Sequence, residues 1–143
     1  QSVAVVLDTS ALIELERALS RGLQLPTELR DEQVFLPSIV WSEALIGVRL
    51  AADAARAARR RAHLERVRLH AQVVHFTPEI AEHYADIFAE LSISGTPIPQ
   101  NDVAVAATCR FGNWSLLVGP NDEHHFARVR GLTVKVLSAE TRA

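Results

Sequence analysis

The chain is 143 residues long, 48% hydrophobic and 22% charged, which suits one soluble globular domain over residues 1–143 and excludes a disordered or fibrous chain. Its formal net charge of −2 gives no global attraction for nucleic acid, so any polyanion must be met by a local patch. A single cysteine, Cys109, rules out an intramolecular disulfide framework; with no apolar run of the roughly 18 residues a membrane span needs and no basic leader before an apolar core, a cytoplasmic protein away from membranes is expected.

Residues 3–7, VAVVL, read as a strand buried on both faces, because the run has no polar alternation. TSALIELERALS follows with helical spacing, placing Leu12, Leu15 and Leu19 on one face. Pro26 opens a short helix over 26–32, and VFLPS gives a strand ended by Pro37. Ser38 is expected to cap a helix running to about Leu50, and Asp53 a long Ala- and Arg-rich helix over 53–71. QVVHF (72–76) is the next strand. Thr77 as N-cap and Pro78 at the first position mark a strong helix start. After the GTPIPQ loop, NDVAVAATCRFG forms a helix that Gly112 should stop. WSLLVG and LTVKVL are two further strands, separated by PNDEHHFARVRG. Strands and helices alternate throughout, which predicts an α/β fold with a central parallel sheet flanked by helices.

In such sheets ligands bind beyond the carboxyl ends of the strands. Asp8 ends the first strand, Asp102 begins a helix after Asn101, and Asp122 follows the WSLLV strand. Taken singly, each suits a cap or a turn. Glu43 does not, because its helix neighbours at 39, 46 and 50 are Ile, Ile and Leu. A buried carboxylate in an apolar stripe must neutralise, pair or bind a metal; the alternative is a surface position in which only the stem is covered and the head reaches solvent. Convergence of Asp8, Glu43, Asp102 and Asp122 would bring repulsion that a hard divalent cation relieves, and all-oxygen ligation suits Mg²⁺ or Mn²⁺ over zinc.

LDTSALIELE, LPSIVWSEALIGV, GTPIPQNDVAVAAT and LLVGPNDEHHFARVRGL resemble, in that order, the four signature blocks of PIN-domain ribonucleases, closest to the VapC-type toxins of bacterial toxin–antitoxin pairs. The resemblance runs from Val3 to about Val136 and implies a three-layer PIN-like sandwich. It places Asp8, Glu43 and Asp102 as metal-binding acids and Asp122 as the fourth. The last block departs from the pattern: Pro120 stands where Thr or Ser is usual, and Asn121 competes with Asp122, which the spacing to Phe126 favours. The implied activity is RNA cleavage by a Mg²⁺-activated water, with Mn²⁺ as an alternative ion. The implied partners are an RNA substrate, a homodimer mate and a small, partly disordered antitoxin. With the antitoxin the chain would form a heterotetramer or larger assembly, the antitoxin tail lying near Glu43 and Asp102. A housekeeping PIN nuclease of RNA processing and a non-catalytic phosphate- or protein-binding domain stand as alternatives. A haloacid-type phosphotransferase is disfavoured, since DTS lacks a second Asp.

Other features divide between surface and site. Arg56, Arg59, Arg60, Arg61, Arg66 and Arg68 put a basic ridge on one helix, either a solvated face or a dock for phosphates. Thr9 and Ser10 suit capping or phosphate contact equally. The His124-His125 pair sits in a loop and is not required by the resemblance. Trp41 and Trp114 read as core or dimer contacts rather than base-stacking platforms.

Overall fold

The computed structural model describes residues 4–22, 29, 31–120 and 123–137. Its elements are β1 (Ala4–Leu7), α1 (Thr9–Ser20), β2 (Gln33–Pro37), α2 (Ser38–Arg49), α3 (Ala54–Arg68), β3 (Ala71–Val74), α4 (Pro78–Ser94), α5 (Gln100–Gly112), β4 (Ser115–Val118), the short α6 (Glu123–Phe126) and β5 (Val134–Val136). The expected helix over 26–32 falls largely outside the described residues. The five strands form one parallel sheet in the order β3-β2-β1-β4-β5. The continuous apolar run of β1 is explained by its place: it is the central strand, and Val5, Val6 and Leu7 are fully buried. At the edge, β5 carries exposed Lys135, a charge that discourages further strand pairing.

The chain steps from β1 to β2 to β3 in one direction, then returns through α4 and α5 to β4 on the other side of β1. Right-handed crossovers therefore place α1 and α3 on one face and α4 and α5 on the other. The packing agrees, with α1 against α3 and α4 against α5. Helix α2 touches α1, α3 and α5, so it bridges the two layers. The strand order reverses between β1 and β4, the position where α/β sheets open a crevice. The α/β sandwich expected from the alternation is the observed fold.

Local boundaries differ from expectation where a neighbour overrides propensity. Pro37, not Ser38, is the N-cap residue of α2; it makes no side-chain cap bond, and Ser38 is the first helical residue. The strand over 72–76 ends at Val74. Helix α5 includes Gly112 and is stopped by Asn113, whose φ of 55° is left-handed. Gly112 has another reason to be glycine: a Cβ there would lie 2.1 Å from the Trp114 ring. That ring stacks on Phe35 at 4.2 Å, so Trp114 is a packing residue. Trp41 instead lies under the Arg68 guanidinium, 5.1 Å from the ring centre. The segment expected as a loop over 120–131 contains α6, whose Phe126 is almost fully buried.

Candidate active site

Asp8 immediately follows the central strand, and its backbone N–H still donates to the Leu117 carbonyl of β4 at 3.2 Å. It is the N-cap of α1: Oδ1 accepts from the Ala11 amide at 2.9 Å and from Ser10 Oγ at 2.7 Å. Only 6% of the residue is exposed. A carboxylate so buried needs these donors, and the N-terminus of α1 favours its negative charge. The capping role is thus real, and it holds a carboxylate at the point where the strand order reverses. Behind it, Cys109 is kept a thiol: burial raises its pKa far above the usual range, and the Asp8 charge pushes in the same direction.

Glu43 is positioned otherwise than its sequence neighbours suggest. The buried residues of α2 are Val40 and Val48, while Ile46 is 55% and Leu50 78% exposed. The apolar stripe through positions 39, 46 and 50 therefore faces largely outward. Glu43 is half-buried at its margin. Its two oxygens are claimed by different elements: Thr9 Oγ1 of α1 donates to Oε1, and Asn101 Nδ2 of α5 donates to Oε2 at 2.7 Å. Helix α2 can make both bonds because it bridges the two helical layers. Thr9 adjoins Asp8, and Asn101 adjoins Asp102.

Asp102 is the third residue of α5, in the first turn, where a negative charge complements the helix dipole. Its Oδ2 lies 3.0 Å from His125 Nδ1 of α6. His125 was not identifiable as a site residue from the sequence, since its partner is 23 positions away; only its closeness to Asp122 hinted at it. Asp122 and its competitor Asn121 lie outside the described residues. Thr9 and Asn101, the chain neighbours of Asp8 and Asp102, thus meet at the Glu43 carboxylate.

Two hollows open beside these residues. One, of about 310 Å³, is lined by Thr9, Glu16, Glu43, Gly47 and Arg60 among others. The other, of about 560 Å³, is lined by Ser42, Phe76, Tyr84, Asn101 and Thr108 among others. The Glu43–Asn101 hydrogen bond joins the lining of one hollow to that of the other. The arginines of α3 are not a uniform ridge. Arg60 donates to the Gly47 carbonyl of α2 at 2.9 Å, Arg61 pairs with Glu65 at 2.9 Å, and Arg68 covers Trp41.

The donor chemistry of Asp8, Glu43 and Asp102 fits a hard cation. Among the described residues, no three His, Cys, Asp or Glu side chains form a group that could hold a metal by themselves. Mg²⁺ does not demand such a cage, because it keeps several waters and takes one or two carboxylates with substrate phosphates.

Comparison with known proteins places the site in context. The family model of the PIN domain matches residues 5–132. No curated protein matches the chain in sequence. Among solved structures, VapBC2 of Rickettsia felis bound to a promoter DNA fragment aligns with a TM-score of 0.77 at 18% identity, covering 95% of this chain and 100% of that one. VapBC of Salmonella typhimurium, also DNA-bound, aligns at 0.76 with 22% identity, covering 94% and 98%. VapBC-5 of Mycobacterium tuberculosis, a toxin–antitoxin system, aligns at 0.72 with 25% identity over the same shares.

Proposed function

The chain belongs to the PIN-domain family, and from that premise we propose that it is a Mg²⁺-dependent endoribonuclease, the toxin of a toxin–antitoxin pair. The observation that carries this reading is the Glu43 carboxylate, bound at once to the residue after Asp8 and the residue before Asp102. Elements distant in sequence thereby meet at Glu43, beside the chain positions of Asp8 and Asp102. The alternative, that the acids are only caps, accounts for Asp8 but not for Glu43, which lies in the middle of α2.

In this reading Asp8, Glu43 and Asp102 would hold the ion through one or two direct carboxylate bonds and through its bound waters, with Asp122 as the fourth acid. Mg²⁺ or Mn²⁺ bound there would acidify a water and offset charge on the phosphate. The protein's own contribution is orientation. Ser10 donates to Asp8, Thr9 and Asn101 donate to Glu43, and His125 stands against Asp102. The hydroxyls of Ser10 and Thr9 and the Asn101 amide, being uncharged donors, fix a carboxylate without neutralising it. The partner is a small antitoxin like those of the VapBC complexes, with the toxin as a homodimer in a heterotetramer or larger assembly. Its tail would lie near Glu43 and Asp102, where an Arg could pair with a carboxylate in a bidentate fork.

The test is RNA cleavage by the purified chain in Mg²⁺, in EDTA, and with Asp8→Asn or Asp102→Asn. Asn keeps an acceptor for the Ala11 amide, so the fold should persist in the circular dichroism spectrum while cleavage is abolished. Cleavage that survives EDTA would sink the metal mechanism, and full activity in Glu43→Gln would favour the caps-only alternative.

A further inference from the structure

We propose that Ser10 is a positioning residue that couples Asp8 to the segment leaving β4, and that glycine at position 119 is what permits the coupling. The inference rests on the nuclease reading and adds to it a residue that touches neither metal nor substrate. A serine hydroxyl has one proton to give and lone pairs to accept with. Ser10 Oγ gives its proton to Asp8 Oδ1 at 2.7 Å and accepts from the Gly119 amide at 2.9 Å. The proton is committed to Asp8, so this hydroxyl does not serve as a donor to phosphate.

The packing at Gly119 supplies an independent observation. A Cβ built there would lie 2.8 Å from the Ser10 carbonyl oxygen and 3.1 Å from its carbon. Both are backbone atoms of the first turn of α1 and cannot yield without moving the helix. The left-handed region is not involved, since Gly119 is not among the glycines with positive φ. Glycine is required here for space. The end of β4 and the start of α1 therefore meet at a separation that only glycine allows, reinforced by the bond from the Asp8 amide to Leu117. Gly119 is buried, so its amide has no ready water to replace Ser10. Three positions further on stands Asp122. The Ser10 hydroxyl thus fixes the Asp8 carboxylate and the point from which the segment bearing the fourth acid departs.

The experiment measures Mn²⁺ binding by calorimetry, Gly119 amide exchange by NMR and RNA cleavage for Ser10→Ala, with Ser10→Thr and Ser10→Val as a shape-matched pair. Ser10→Ala should speed Gly119 exchange, weaken Mn²⁺ binding by about tenfold or more, and lower kcat with KM for RNA nearly unchanged. Ser10→Thr, which keeps the hydroxyl, should bind Mn²⁺ more tightly than Ser10→Val by a similar factor, a contrast that stands even where Ser10→Ala folds poorly. Unaltered Mn²⁺ affinity in Ser10→Ala, or equal affinities in Thr and Val, would overturn the positioning role alone. No Mn²⁺ binding by the parent chain would overturn the nuclease reading and this inference with it.

Discussion

At the β1–α1 junction Asp8 is held by Ser10 and Ala11, two and three positions on, whereas Glu43 is held by Thr9 and Asn101, 34 and 58 positions away. The first region is built from local chain geometry: a buried strand ends, a helix begins, and the capping carboxylate is fixed where they meet. The second exists only once α1, α2 and α5 have packed. One carboxylate therefore belongs to the stability of a helix, and the other to the assembly of the tertiary fold. The difference separates what each region contributes to folding from what it contributes to chemistry.

Mutation at the two regions should separate those contributions. Asp8→Ala removes the cap of α1 and its bond to the Ala11 amide, and should cost about 1–2 kcal/mol of stability in urea unfolding. Asn101→Ala removes one donor from an exposed side chain and should cost less than about 1 kcal/mol. It frees one oxygen of Glu43, however, and should lower RNA cleavage by about tenfold, the usual effect of losing a residue that orients a ligand. Equal losses of stability in the two variants would break the distinction.

The same contrast governs what could be read from the sequence. The sheet, its parallel sense and the caps at Asp8, Asp53 and Thr77 follow from short-range patterns: apolar runs, turn residues and helix starts. Asp8 and Asp102 were marked by their places at strand and helix ends. Glu43 was singled out for a stripe that proves largely exposed, and its actual partners, Thr9 and Asn101, come from other elements. His125 and Gly119 were missed for the same reason, because His125 meets Asp102 and Gly119 meets Ser10 only through the fold. Ser38 and Gly112 misled because a residue suited to a cap was one position from the residue that serves: Pro37 and Asn113.

Glu16 of α1 lines the same hollow as Thr9, Glu43 and Arg60 of α3. Burial raises its pKa above the ordinary value of 4.5, while Arg60, His63 and Arg17 pull it back. The folded state therefore favours the protonated form. The stability this contributes is complete below the ordinary pKa and is lost as pH rises through the raised value. Glu16→Gln should make the chain more stable at pH 7 by less than about 1 kcal/mol, since solvent screens a half-buried group. Below pH 4.5 the two proteins should unfold alike. A Glu16→Gln variant less stable at pH 7 would mean that the arginine and histidine charges outweigh burial.

The claim that the two regions form one site is tested most directly by adding Mn²⁺ to the isotope-labelled chain and recording paramagnetic line broadening. Resonances of Asp8, Ser10, Glu43, Asn101, Asp102 and Gly119 should broaden together at the same substoichiometric additions, and Asp8→Asn should abolish the effect at all of them. Broadening confined to one region, or centred on residues away from the carboxyl edge of the sheet, would contradict a shared metal site.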